Sequence, residues 1–197
     1  MDARSLVSQI LDIELEMFKS VPARYPVSCQ DDEEGFRIMR AAQFAVWSED
    51  TLRSYLQDLE AARQADRNLM TLKYARMEDL VAPLQNNVEI TELIEEIVLI
   101  QLQWQREMEA RYPALMARGR PMTDDGNGTG ETSFERYLRA ELETYSPVTL
   151  TNLFRDIVAR QVKGENMTEE IYEHMVKALG YSSLVEADEN ARRQTTQ

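Results

Sequence analysis

The string Ala-Arg-Tyr-Pro occurs twice, at residues 23–26 and 110–113, inside a longer self-similarity that restricts what this chain can fold into. At an offset of 87 residues Leu6 falls on Leu93, Ile10 on Ile97, Ile13 on Ile100 and Leu15 on Leu102. At an offset of 98, Phe36 falls on Phe134, Ser48 on Ser146, Thr51 on Thr149, Asp58 on Asp156, Asn68 on Asn166, Tyr74 on Tyr172 and Met77 on Met175. Unrelated amphipathic helices share apolar positions through their common period, but that period does not make polar residues recur in order. The pattern predicts a tandem duplication. The offsets differ by 11 residues, which places one insertion in the second copy, and 121–130, with Pro121, Gly126, Gly128 and Gly130, has the loop composition for it.

Each copy reads as four helices. Leu6, Ile10, Ile13 and Met17 share one helical face, and Pro22 and Pro26 end that segment. Phe36, Met39, Val46 and Trp47 mark a second helix; Leu52 to Ala65 form a third; and Asn68 introduces a fourth carrying Leu69, Leu72, Met77 and Leu80. The second copy repeats the order over Ile94–Tyr112, Phe134–Tyr145, Val148–Val162 and Met167–Leu179. No strand pattern of comparable strength competes. Four apolar stripes are hard to hide within one unit of this size, so the expected fold is all-α, with two copies sharing one core about an approximate two-fold. This gives a single domain over 1–187, built from repeats at about 5–82 and 92–184, and a mobile polar tail at 188–197.

Charge and cysteine content narrow the function classes. With 35 acidic against 22 basic residues the formal charge is -13, and an acidic surface repels phosphate, which argues against nucleic acid or an anionic membrane as partner. The start of the chain runs directly into an amphipathic pattern, with no signal core and no long apolar span, so a soluble cytoplasmic protein is expected. Cys29 is the only cysteine, which excludes an intramolecular disulfide and a thiolate metal cluster within one chain.

Local chemistry is explained by structure at most positions. Asn68 and Asn166 read as N-caps, Glu169 stands where a capping box would put it, and Asp58 and Asp156 suit a cap or an inter-helix hydrogen bond. Arg24-Tyr25-Pro26 and Arg111-Tyr112-Pro113 read as helix exits, and Tyr74 and Tyr172 as core rings. Cys29 precedes a possible helix start, but Asp31-Asp32-Glu33-Glu34 opposes a thiolate, and the packed thiol is the better reading. Glu170 and His174 share a face, yet one histidine cannot complete a di-iron site; Asp125, Asn127 and Thr129 imitate a calcium loop whose twelfth position is Arg136 instead of Glu. No metal and no particular cofactor is implied.

One constellation stands apart. Phe36, Arg40, Gln43 and Trp47 lie on one side of a helix, opposite Phe134, Leu138, Glu141 and Tyr145 in the second copy. Arg40 is expected to meet Glu141, with Gln43 nearby and Glu14 as a second carboxylate; Tyr137 and Tyr145 complete the group. A buried guanidinium needs carboxylate acceptors. Two readings follow. The first is an internal ion pair that fixes helix orientation. The second is a pocket between the copies in which Arg40 anchors an anionic small molecule and Glu14 or Glu141, desolvated by Phe36, Trp47 and Tyr145, has a raised pKa suited to proton transfer.

Several stretches, Glu16-Met17-Phe18, Ser28-Cys29-Gln30, Phe36-x-x-Met39-Arg40, Ser54-Tyr55-Leu56-x-Asp58-Leu59, Lys73-Tyr74-Ala75-Arg76-Met77, Tyr137-Leu138-Arg139-x-Glu141 and Gly180-Tyr181-Ser182-Ser183-Leu184, resemble the prokaryotic family known as domain of unknown function 4125. The resemblance covers nearly the whole chain and implies a soluble prokaryotic protein, with no activity or catalytic residue to carry over. Two function classes therefore stand side by side. One is a non-catalytic binding or accessory protein, a monomer or homodimer, that uses the groove between its repeats for an anionic small molecule or a protein partner. The other is an enzyme of small-molecule metabolism with an inter-repeat pocket.

Overall fold

A computed structural model describes residues 2–22, 32–123 and 132–195, and these form ten helices and no strand. They are α1 (Ala3–Lys19), α2 (Glu33–Ala45), α3 (Glu49–Gln64), α4 (Leu69–Met77), α5 (Val88–Arg111), α6 (Pro113–Met116), α7 (Phe134–Leu142), α8 (Pro147–Lys163), α9 (Met167–Ala178) and α10 (Leu184–Thr195). None among the described residues is long and apolar enough to cross a membrane.

Helix boundaries follow from capping chemistry. Ser48, Ser133 and Ser146 accept hydrogen bonds from the third backbone N–H of α3, α7 and α8, and Asn68 and Asn166 do the same for α4 and α9. Four helices close on a left-handed residue, Asp66, Asp79, Gly164 or Gly180, behind which a backbone N–H reaches five residues back: Arg67 to Ala62, Leu80 to Ala75, Glu165 to Arg160 and Tyr181 to Val176. Glu169 does not serve as the reciprocal partner of a capping box; its carboxylate accepts from Arg111 and Tyr112. Tyr112 caps the end of α5 and Pro113 opens α6, as the helix-exit reading expects.

The packing order is reciprocal between the halves. In the first half α1 contacts α2, α3 and α4, and in the second α5 contacts α7, α8 and α9. Across the halves α2 lies on α9, α4 on α7, and α3 on α8. The second helix of each half thus packs on the fourth helix of the other, and an apolar cluster drawn from both halves, including Ile10, Phe44, Leu59, Ile97, Leu150 and Ile157, fills the interior. Polar contacts cross in matching pairs. Asp156 accepts from Ser48 N at 2.9 Å and Thr51 Oγ1 at 2.7 Å, while Asp58 accepts from Ser146 N at 3.0 Å and Thr149 Oγ1 at 2.7 Å. Asn68 Nδ2 donates to Met17 O at 2.8 Å and Asn166 Nδ2 to Trp104 O at 3.2 Å, tying each fourth helix to the first helix of its own half. Each Asp therefore caps the start of a helix in the opposite half. Replacing either one, Asp58→Ala or Asp156→Ala, is expected to lower the unfolding free energy by about 2 kcal/mol, read as a lower urea midpoint at unchanged slope.

The structure departs from the sequence expectation in three further places. Met39, expected on the core side of the second helix, is exposed, because the inward face of α2 runs through Arg40 and Phe44. Leu80 also lies in solvent: α4 ends at Met77, and the left-handed turn at Asp79 carries the chain outward. Most consequentially, residues 188–195 continue α10, although a polar tail with little to bury was expected there. Asp188 and Ala191 are buried, and Asp188 Oδ1 accepts from Leu115 N at 2.9 Å, so the polar residue supplies the N-terminal cap that α6 otherwise lacks. Leu184 and Ala187 complete a second apolar cluster with Met108, Tyr112, Leu115, Met116 and Val176.

Candidate functional site

Two helices of the first half and one of the second bring the expected residues together. Arg40 is buried on α2 together with Ala42 and Phe44, its guanidinium 4.8 Å from the Phe44 ring centroid. Glu14 meets it from α1, where it replaces an apolar residue in the Ile10–Met17 stripe and is fully buried. Arg40 Nε donates to Glu14 Oε2 at 2.8 Å and Nη2 to Glu14 Oε1 at 2.5 Å, the two-pronged geometry that suits a guanidinium to a carboxylate. Nη1 then donates to Glu141 Oε1 at 2.8 Å on α7 and to Gln43 Oε1 at 2.7 Å.

Glu14 and Glu141 each carry further donors. Tyr55 OH donates to Glu14 Oε1 at 2.6 Å, Tyr145 OH to Glu141 Oε1 at 2.7 Å, and Lys73 Nζ to Glu141 Oε2 at 2.7 Å. Lys73 Nζ also lies 3.7 Å from the ring centroid of Tyr137, a cation–π contact. Aromatic rings enclose the cluster: Tyr55 and Tyr145 are 4.8 Å apart, and Trp47 stands edge-on to both. Two carboxylates and two cations balance in formal charge, and Glu14, Arg40, Lys73 and Glu141 are each no more than 5% exposed.

The electrostatics follow from this enclosure. Burial works against the charge on Glu141, but Arg40 and Lys73, together with the hydrogen bonds from Lys73 and Tyr145, outweigh it and hold the carboxyl well below its ordinary pKa. Burial likewise opposes the Lys73 and Arg40 charges, and the facing carboxylates more than restore them. Burial, reinforced by Glu14 at Tyr55 and by Glu141 at Tyr145, keeps both phenols protonated far above their usual range.

All seven residues singled out in the sequence, Glu14, Arg40, Gln43, Trp47, Tyr137, Glu141 and Tyr145, lie in or against this cluster. The expected raised pKa on Glu141 is not what its surroundings produce. Two cations face it where the sequence reading supplied one, and the second is the reason for the correction. Lys73 and Tyr55 escaped the sequence reading. Lys73 occupies the middle of the stripe Leu69, Lys73, Met77, and an ionisable group at the i+4 step of an apolar face is the same signal that Glu14 gives. Phe36 is half-buried and stacks on Phe18 at 4.9 Å. Glu170 accepts from Arg160 Nε at 3.0 Å and His174 is exposed. Cys29 and the Asp125–Gly130 stretch lie outside the described residues.

Two open clefts run between the halves beside the cluster. One, of about 360 Å³, is bounded by Asp58 and Arg67 of the first half, Gln85 of the connection, and Glu143 and Ser146 of the second. The connection is fastened there: Leu84 N donates to Glu143 Oε2 at 2.9 Å and Gln85 Nε2 to Glu143 O at 3.0 Å. The other, of about 310 Å³, lies between Arg76 and Asp79 on one side and Arg136, Arg139 and Glu143 on the other. Tyr145 borders the first cleft, and no other residue of the expected group lines either one.

A family model described as "Protein of unknown function (DUF4125)" matches residues 4–189, nearly the whole chain. No curated protein and no solved structure gives a significant match.

Proposed function

For a chain that belongs to the DUF4125 family, whose description carries no activity to transfer, we propose a non-catalytic binding or accessory role exercised through the grooves between its two halves. The observation that carries this reading is the contrast between the ion cluster and the clefts. Arg40, Glu14, Lys73 and Glu141 are buried and hydrogen-bonded to one another and to Gln43, Tyr55 and Tyr145, whereas both clefts are open and have walls from both halves. A closed, charge-balanced cluster orients helices. An acid or base needs a path to its proton acceptor, and the cluster's surroundings favour keeping Glu141 ionised. We take Arg40 as the centre of an internal ion pair that fixes helix orientation.

The same reading takes the halves, about 5–82 and 92–184, as tandem copies related by an approximate two-fold and folded as one domain. The reciprocal caps at Asp58 and Asp156, the matching Asn68 and Asn166 contacts, and the exchange of second and fourth helices between halves support it. Within that frame the cluster is asymmetric: Leu138 stands where Arg40 does, and Gln101 where Glu14 does. We take the protein as cytoplasmic, with a small anionic molecule or a protein segment as the groove occupant.

A panel of small metabolites followed by hydrogen exchange tests the role. A bound compound is expected to raise the melting midpoint by several degrees and to slow exchange around 61–69 and 143–146, or around 76–79 and 133–140, a stabilisation that follows from binding the native state alone. Protection confined to the backbone around Arg40 and Tyr55 would contradict it, as would a panel in which no compound protects either groove.

A further inference from the structure

In the cleft bounded by α4 and α7, three guanidiniums converge on one open space: Arg76 from the first half, Arg136 and Arg139 from the second. On a chain with a formal charge of -13 an anion needs a local concentration of positive charge of this kind to bind. A carboxylate of the protein's own already sits between two of them. Asp79 Oδ1 accepts from Arg76 Nη1 at 2.9 Å and Oδ2 from Arg136 Nη1 at 2.9 Å, so its two oxygens bridge the halves as an oxyanion would.

The two sides of this contact are held very differently. Arg76 is fixed by Glu143 through Nε at 2.9 Å, and Arg136 by Met77 O at 3.0 Å; Arg139 is braced by Glu95 and Glu135. The Asp79 side chain, in contrast, is 59% exposed and stands on the left-handed turn that ends α4. Exposed ion pairs are weak, and exchanging this carboxylate for another costs little. With Asp79 turned out, Arg76 Nη1 and Arg136 Nη1 lose the acceptor they share, while Arg76 keeps Glu143 and Arg139 keeps Glu95 and Glu135.

We infer that this cleft binds a small molecule through a carboxylate or phosphate group, and that Asp79 occupies the oxyanion position when the ligand is absent. The inference rests on the groove-binding role proposed above and names the ligand chemistry for one of the two grooves. It makes Asp79 a competitor, so removing its charge strengthens binding.

Inorganic phosphate and succinate serve as probes, titrated against the full chain at ionic strength matched with chloride and read by melting midpoint and by hydrogen exchange. Asp79→Asn is expected to lower the half-saturating concentration of at least one probe by about two- to fivefold. Asp66→Asn, the same charge change on a turn of the same conformation, is expected to leave it unchanged. Arg136→Gln, with Arg139→Gln as the second variant, is expected to abolish saturation. A response to phosphate alone assigns a phosphate ester, and a response to succinate alone a carboxylic acid. No saturable response in Asp79→Asn overturns the inference, as does an equal gain in Asp66→Asn or full binding in both arginine variants. If the probes fail while a panel compound protects 61–69 and 143–146, the groove-binding role stands and only the oxyanion assignment falls; if nothing protects either groove, both fall.

Discussion

Replacing Arg40 by methionine is expected to lower the unfolding free energy by about 3–5 kcal/mol, the range seen when one member of a buried ion pair is removed. For a chain of this size that is a drop in melting temperature of roughly 6–20 °C. The cause lies in what remains. Glu14 loses two charge-assisted hydrogen bonds and is left with Tyr55, fully buried; Glu141 loses one and keeps Lys73. A second substitution separates charge from packing: Glu14→Gln added to Arg40→Met removes the stranded carboxylate and is expected to recover part of the loss. A double variant as unstable as the sum of the two singles would show that Glu14 and Arg40 do not act on each other.

Glu141→Gln carries the second large effect, and it depends on pH. The substitution strands Lys73 beside a neutral amide, with an expected cost of about 3–5 kcal/mol near neutrality. The folded protein holds the Glu141 carboxyl below its ordinary pKa, so the unfolded chain takes up its proton first as acid is added. The stabilisation is therefore complete above the unfolded-state value of about 4.3 and is lost progressively below it, as pH falls toward the folded-state pKa. Urea titrations of wild type and Glu141→Gln at a series of pH values are expected to show a gap that is constant from about pH 7 down to about pH 5 and narrows below about pH 4.3. A gap that widens on acidification would reverse the sign assigned to this carboxyl.

How far the sequence carries is clearest at particular positions. The helices are readable because apolar spacing and caps agree: Asn68 and Asn166 each begin the helix that their position announces, and the repeated Ser48 and Ser146 cap α3 and α8. Arg40 and Glu14 were readable because a charge in the middle of an apolar stripe must find a partner. Lys73 carries the same signal, but a lysine on a short helix reads first as a side chain reaching solvent. The α10 helix was not legible from composition: its buried stripe is Leu184, Ala187 and Ala191 with Asp188 among them, and small residues carry little hydrophobic signal. The clefts were beyond sequence reasoning altogether, since they arise where α4 meets α7 and where the connection crosses the turn after α7, contacts of long sequence separation.

The claim on which the rest depends is that the two halves stand or fall as one unit, joined by the Arg40 cluster. Each half contains one tryptophan, Trp47 and Trp104, both buried, so single-tryptophan variants Trp47→Phe and Trp104→Phe report the halves separately in urea unfolding. The account expects the fluorescence transition of each variant to coincide with its own far-ultraviolet dichroism, and Arg40→Met to move the Trp47 and Trp104 transitions by the same amount. A Trp104 transition that stays in place while that of Trp47 shifts would mean that the halves unfold independently, and the account would be contradicted.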